Sequence, residues 1–408
     1  YGAKYIYDMI PSEESSDVFD KITAEIISLI ICYHHGGLPN SVDDHFNIPL
    51  LKRICKNKFN DYLSVKKEFE CLFEEFDIPE LFSKAVIEIK NYLIKFNKDY
   101  KTAQSYYFAK HLLIKILYSI LIDSDWLDSF KFGLVKDVLV EDSIQNYLIS
   151  YIKNLNIKME SFKESKANSA FQQLVFNKRN EIALDCYNFA NNKTGIYTLT
   201  VPTGGGKTLS SLNFALNHAK INNKTKIIYV APYTSILEQN AKVVRETLKC
   251  NNELLEFHSN VIEEIKTNDE YEDEEHVKVL SSRWEHPIIF TTVVQFLNIF
   301  FSSSSQDLRK LQSLMNSVII FDEAQSVPIH CSTLFNEVCN YLSRYLNCTI
   351  VLCTATQPLL HKLEKPIQLS NNNEIVSDVN DAYSALKRVE VIDKTIKGGY
   401  SSQEAVDF

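Results

Sequence analysis

The sequence has no stretch approaching the roughly 20 uninterrupted apolar residues of a membrane span; the apolar run Ile26 to Cys32 is broken by Ser28 and followed by two histidines. A membrane role is therefore excluded as an expectation. The opening residues, YGAKYIYDMIPSEESSD, carry no basic segment ahead of an apolar core, so no signal peptide is expected there. No C-x-x-C pair occurs among the nine cysteines, which argues against a zinc ribbon. An odd number of scattered cysteines reads as reduced thiols, and the expected location is the cytoplasm. Basic residues are outnumbered by acidic ones, 43 to 52. The net charge of −9 speaks against a generally nucleic-acid-binding surface, while leaving room for a local basic groove.

Residues 1–155 read as helical, with apolar positions recurring at helical spacing in VFDKITAEIISLIICY and SYYFAKHLLIKILYSILIDSDWLDSF. Glycine is scarce in this stretch. Residues 156–170, NIKMESFKESKANSA, are polar and read as a linker. From residue 171 the texture changes to short β-branched runs, each followed by a loop and a helical segment. They are Ile196–Val201, Lys226–Ala231, Pro287–Thr291, Ser317–Phe321 and Thr349–Cys353. Strands alternating with helices predict a parallel sheet covered on both faces, so the fold class is α/β with an all-helical first part over 1–155 and a parallel-sheet lobe over 171–386. The acidic run Glu263–Glu275 reads as a solvated insert. RVEVID, in 387–408, reads as the first strand of a further domain that the chain does not complete.

The strongest local signal is VPTGGGKTLSSLNFAL, Val201 to Leu216. A strand leads into three glycines, then Lys207, Thr208 and a helix. Gly204, Gly205 and Gly206 let backbone N–H groups curl around a phosphate, and the helix adds its positive end. The candidate ATP-binding segment is thus Pro202, Thr203, Gly204, Gly205, Gly206, Lys207 and Thr208, with Lys207 on the β- and γ-phosphates and Thr208 on Mg2+. Val201 stands where the full G-x-x-x-x-G-K-[ST] pattern has glycine, so this is the variant P-T-G-x-G-K-T form. The second site is VIIFDEAQ. Asp322 and Glu323 end a buried strand on the side where parallel sheets bind ligands, Asp322 placed to hold Mg2+ and Glu323 to polarise the attacking water. In VLCTATQP, Thr354 and Thr356 follow another strand end and are candidates for coupling the acid pair to bound nucleic acid.

Phosphate loop, DEAQ and TAT in this order resemble superfamily 2 helicases. LTVPTGGGKTLSSLNFAL, IIYVAPYTSILEQNA, EFHSN, PIIFTTVVQFL and NSVIIFDEAQSVP are similar, more narrowly, to the CRISPR-associated helicase–nucleases of type I systems, the Cas-three family, over roughly residues 171 to 385. The resemblance implies a RecA-like lobe and an ATP-dependent, 3′-to-5′ single-stranded DNA translocase recruited by a CRISPR RNA-guided effector complex in antiviral defence. It places strand-contacting motifs at Thr234, Ser235, Thr291 and Thr292.

In that family an HD nuclease precedes the helicase, and residues 1–155 bear on this. YHHGGLPN puts His34 and His35 after a helix, and Asp125 lies on a later helix; histidine and carboxylate on separate helices are ingredients of a metal-dependent hydrolase. The resemblance implies that His34, His35 and Asp125, rather than Asp123, hold divalent transition metal ions, with Asp128 on the surface. It also implies a chain truncated at both ends: further HD ligands before Tyr1, and a second RecA-like lobe with its arginine fingers after Phe408. Two other readings stay open, an RNA or RNP remodelling helicase with a helical docking module, and an ATP-gated nucleic-acid clamp.

Overall fold

The computed structural model describes residues 1–10, 17–55, 61–132, 143–164, 169–258 and 283–387. The acidic insert and the RVEVID strand therefore lie outside the described residues. The first part is helical: α1 (Gly2–Tyr7), α2 (Val18–Tyr33), α3 (Pro49–Ile54), α4 (Tyr62–Leu72), α5 (Ile78–Asp99) and α6 (Ala103–Phe132). Local chemistry sets these boundaries. Asp17 and Asp20 form a reciprocal capping box at the start of α2, and Asp77 caps α5 ahead of Pro79 in its first turn. α6 has 30 residues and runs about 45 Å, past several other elements.

Next come α7 (Leu148–Glu164) and α8 (Ala170–Phe189), then β1 (Ile196–Thr200), α9 (Lys207–Ile221), β2 (Lys226–Ala231), α10 (Thr234–Leu248), β3 (Leu254–Phe257), β4 (Ile288–Thr292), α11 (Val293–Phe301), α12 (Ser305–Leu308), β5 (Ser317–Asp322), α13 (Ser332–Tyr345), β6 (Thr349–Thr354) and α14 (Val379–Ala385). The strands form one sheet in the order β1-β6-β5-β2-β4-β3, every pair parallel. All strand positions but Glu256 are buried, as expected of a parallel sheet covered on both sides.

Alternate residues of each strand feed two separate cores. Ile228, Val230, Ile319, Phe321, Ile350 and Leu352 join a core that continues into α2, α5 and α6. Ile227, Tyr229, Ile320, Val351 and Cys353 join another with α7, α8, α9 and α10. The helical first part is thus continuous with the packing on one sheet face.

Two expectations need correcting. The stretch read as a linker from residue 156 continues a helix: α7 runs unbroken from Leu148 to Glu164. Its apolar positions Leu148, Tyr151 and Leu155 recur at helical spacing and are buried in the core under the sheet, while its Lys, Asn and Glu residues supply the polar composition. For the same reason residues 148–155 pack with the sheet lobe instead of with the helices before them. The second correction is β3, a strand of four residues that extends the sheet beyond the five runs read from the sequence. Those five agree with the observed strands to within one residue at each end. All nine cysteines are free thiols, and among the described residues no helix is long and apolar enough to cross a membrane.

Candidate nucleotide and metal sites

Because the strands are parallel, their C-terminal ends share one rim, and β6 lies between β1 and β5. The loop after β1, the acid pair after β5 and the threonines after β6 therefore meet. Within the segment expected to bind ATP, Pro202 is buried and Thr203 is exposed, in a turn that Gly205 N closes by donating to the Pro202 carbonyl at 2.9 Å. Thr203 therefore shapes the loop as a solvent-facing turn residue, and the side-chain bonds toward the acid pair start from Lys207 and Thr208 instead. Gly204 and Gly206 adopt left-handed backbone conformations, with φ of 80° and 86°. At Gly205 a Cβ would lie 2.5 Å from Val201 Cγ1. Gly206 caps α9, so Lys207 and Thr208 are its first two residues.

Lys207 Nζ is ion-paired with Glu323 Oε1. Burial works against the charge on Lys207, but the hydrogen bond to Glu323 and the nearby negative charges of Glu323 and Asp322 act together with the Cys353 sulfur to raise the ammonium above its usual range. Burial likewise pushes against ionisation of Glu323, yet hydrogen bonds from Lys207 and Gln325 hold it below the usual carboxylate range. Asp322 is 5% exposed, and burial raises its carboxyl against the pull of Lys207. Adjacent carboxylates with opposite shifts suit different roles, one near a cation and one near water.

Thr208 Oγ1 donates to Asn240 Oδ1 at 3.1 Å, and Asn240 Nδ2 donates to Asp322 Oδ2 at 3.0 Å. Asn240, on α10, thus joins the two residues expected to share a divalent cation. Arg179, on α8, donates from Nε and Nη2 to the carbonyl of Gly204 at 2.8 and 2.5 Å. Arg179 does not stand out in the sequence, and Asn240 lies within IIYVAPYTSILEQNA without a role of its own read there. The run EQN before Ala241 and the polar segment around Arg179 carry no local pattern pointing to the phosphate loop.

On the neighbouring strand, Thr354 Oγ1 hydrogen-bonds Gln325 Oε1 and accepts from the N–H of Thr356 at 3.2 Å. Gln325 Nε2 in turn donates to Glu323 Oε2 at 2.7 Å. A continuous path therefore runs Thr356–Thr354–Gln325–Glu323–Lys207. Thr356 is exposed at its outer end.

Thr234 opens α10 and Ser235 beside it is exposed. Thr292 caps α11 by accepting from Gln295 N at 3.3 Å. Because Ala231 pairs with Thr292, α10 and α11 start side by side on the rim. Thr291 is different: its side chain is fully buried and donates to the carbonyl of Phe257 at 3.0 Å, tying β4 to β3. Its hydroxyl is committed inside the sheet and is not presented at the surface.

In the helical part, His34, His35 and Asp125 bring one ligand atom each to within 4.8 Å of one another. The His34 and His35 ring centroids are 3.8 Å apart. His35 Nδ1 lies 3.9 Å from Asp125 Oδ2, with side-chain exposures of 79% and 42%. His34 Nδ1 is 2.7 Å from the carbonyl of Ile31, which leaves Nε2 as its outward nitrogen. Two imidazoles and a carboxylate at this spacing are a donor set that fits a divalent transition metal. Asp123, by contrast, is buried and bonded to Arg283, so it is Asp125 that faces the histidines.

The DEAD/DEAH box helicase family matches residues 171–364. The CRISPR-associated nuclease/helicase Cas3 of Haloferax volcanii is 29% identical over 182 residues, covering 40% of this chain and 19% of that protein. The putative CRISPR-associated nuclease/helicase Cas3 of Methanocaldococcus jannaschii is 25% identical across 97% of this chain and 57% of its own length. The T. fusca Cas3 structure with AMPPNP superposes with a TM-score of 0.48 at 14% identity, over 87% of this chain and 38% of that one. The chain therefore spans a little over half of one curated relative and a fifth of the other.

Proposed function

We propose that this chain, which is similar to Cas3 nuclease/helicases and to DEAD/DEAH box helicases, carries the ATP-hydrolysing lobe of a single-stranded DNA translocase together with part of a metal-dependent nuclease site. The observation that carries the motor reading is the meeting of Lys207, Thr208, Asp322 and Glu323 on one rim of a parallel sheet. The helicase domain implies ATP with Mg2+. The loop amides of residues 204–208 and Lys207 would hold the β- and γ-phosphates, and Thr208 with Asp322 would hold Mg2+. Thr203, exposed ahead of the glycines, would line the outer edge of the same loop. When bound, the cation would supply charge neutralisation on the phosphoryl oxygens. Glu323, kept ionised by Lys207 and Gln325, accepts a hydrogen bond from the attacking water and orients it. Through Gln325 and Thr354, Glu323 is sensitive to what lies against the exposed Thr356. That is a physical route by which a bound strand would tune hydrolysis.

The donor set of His34, His35 and Asp125 supports the nuclease half. His34, His35 and Asp125 would hold and orient a transition metal there, which when bound would supply Lewis acidity toward a phosphodiester. DNA as the polymer, 3′-to-5′ movement and recruitment by a CRISPR RNA-guided complex belong to this proposal through the family alone.

The two chemistries should separate in the full gene product. Lys207→Ala should abolish single-strand-stimulated ATP hydrolysis and leave Mn2+-dependent cutting of short single strands intact. His35→Ala should do the reverse. Loss of both activities in either folded variant would sink the two-site reading. Cutting by His35→Ala at the parent rate would remove the nuclease half and leave the docking-module alternative standing.

A further inference from the structure

α6 has two working faces. Lys115, Ser119 and Asp123 are four residues apart and lie along one of them. All three bind the sheet lobe. Lys115 Nζ donates to the carbonyls of Phe300 and Ser302, at 2.5 and 3.1 Å. Ser119 Oγ donates to the carbonyl of Arg309 at 3.2 Å. Asp123 takes a two-pronged bond from Arg283, Nε to Oδ1 at 2.7 Å and Nη2 to Oδ2 at 2.6 Å. Gln312 Nε2 adds a third donor to Asp123 at 2.7 Å.

Tyr118 and Asp125, seven residues apart, share the other face. Tyr118 OH donates to the carbonyl of Tyr33 at 3.1 Å, immediately before His34. Asp125 faces His34 and His35. The ion pair at Asp123 also continues inward. Arg283 Nη2 is 3.4 Å from Glu285 Oε1, and Lys226 Nζ donates to Glu285 Oε2 at 3.0 Å. These four charged side chains are 4–8% exposed, they alternate in sign, and Lys226 is the first residue of β2.

Resting on the metal reading above, we propose that Asp123 is a positioning residue for the metal site: the buried chain Asp123–Arg283–Glu285–Lys226 locks α6 to β2, and so holds Asp125 against His34 and His35. Burial and the guanidinium fork make the link stiff. A buried charge left without its partner is costly, and Lys cannot reproduce a two-pronged carboxylate contact. Asp125 sits two residues beyond the anchor, so a small roll of α6 about its axis moves its carboxylate away from the imidazoles. The metal site therefore rides with β2, the strand that leads into α10, instead of floating on a separate helical body.

The test uses Mn2+ binding to the full gene product, followed by electron paramagnetic resonance, beside thermal melting and ATP hydrolysis. Asp123→Asn and Arg283→Lys are mild enough to keep the packing. Both should weaken Mn2+ binding about 10- to 100-fold, the scale for groups that orient ligands without touching the metal, and lower the melting temperature, while the melt stays cooperative and ATP hydrolysis stays with the parent. A folded variant that binds Mn2+ as the parent does would overturn the positioning role. Loss of melting cooperativity and ATP hydrolysis in both variants would also overturn it, leaving the bridge a fold-holding element only. If His35→Ala binds Mn2+ unchanged, the metal reading fails first; if His35→Ala loses Mn2+ and Asp123→Asn keeps it, only the positioning claim fails.

Discussion

Lys207, at the start of α9, is ion-paired with Glu323, 116 residues later at the end of β5. On the proposed function, Lys207 binds phosphate and Glu323 orients water, and the two would hold each other until a nucleotide competes for the lysine. Glu323→Gln removes half of this pair while preserving size and one hydrogen-bonding oxygen. Lys207 is then free to take phosphate, so ATP-analogue binding should persist or tighten. Hydrolysis should fall by on the order of 10²- to 10⁴-fold, the usual contribution of a positioned general base. Equilibrium binding of a fluorescent ATP analogue beside steady-state turnover checks both halves. Lost binding with lost turnover would mean that Glu323 is needed to shape the loop.

Asn240 touches both Thr208 and Asp322, and it sits on the helix that Thr234 opens. Asn240→Ala should leave ATP binding without Mg2+ intact but raise the Mg2+ concentration needed for half-maximal hydrolysis. The expected loss is about 10- to 100-fold, as for other residues that orient metal ligands. A Mg2+ titration of hydrolysis that superimposes on the parent would rule out this role.

What can be read in advance follows from where information sits in a parallel sheet. β5 and β6 are runs of apolar residues that end abruptly in DE and TAT, so strand and site are announced together. β3 is only four residues, and Glu256 in its middle pairs with Arg245 of α10 at 2.6 Å, so nothing in LLEF separates it from a loop. α7 is hidden because Lys, Asn, Ser and Glu dominate its second half, although the inward Leu148, Tyr151 and Leu155 decide its packing. Arg179 and Asn240 act from helix surfaces at a distance, and no spacing rule reports that. His34, His35 and Asp125 stand out through a family pattern; the bonds of Tyr118 to the Tyr33 carbonyl and of Arg283 to Asp123 beside them are contacts that only the folded chain reveals.

His218 is fully buried on α9, with Nδ1 3.0 Å from the carbonyl of Ala190 and Nε2 2.8 Å from Thr349 Oγ1. Burial lowers its pKa to about 4. An unfolded chain takes up this proton near pH 6.5, so between about 6.5 and 4 the unfolded state binds more protons and stability falls as pH falls. The shift corresponds to at most about 3 kcal/mol. His218→Gln should be less stable at pH 7, but its melting temperature should decline less than the parent's from pH 7 to pH 4. Parallel declines would show that another group governs the acid limb.

Gly205 and Gly206 are adjacent in the phosphate loop, yet they should fail differently. At Gly206 a Cβ would have no neighbour nearer than 3.8 Å, so Gly206→Ala meets only the backbone cost of φ +86°. That cost is about 1–2 kcal/mol for a left-handed residue, roughly a 5- to 30-fold weakening of ATP binding if the loop relaxes to relieve it. At Gly205 a Cβ would lie 2.5 Å from Val201 Cγ1 and 3.0 Å from the carbonyl of Pro202. Gly205 N also donates to that carbonyl at 2.9 Å, so the clash falls on the turn through Thr203 that closes the loop. Val201 is fully buried in the core behind β1 and has nowhere to go. Gly205→Ala should therefore open the loop, abolish measurable ATP binding and lower the melting temperature, whereas Gly206→Ala should keep the parent melting temperature within a few degrees and bind ATP more weakly. Isothermal titration with an ATP analogue, run beside thermal melts of both variants, tests the contrast. Equal losses in the two would mean that backbone conformation, and not the contact with Val201, is what makes glycine necessary here.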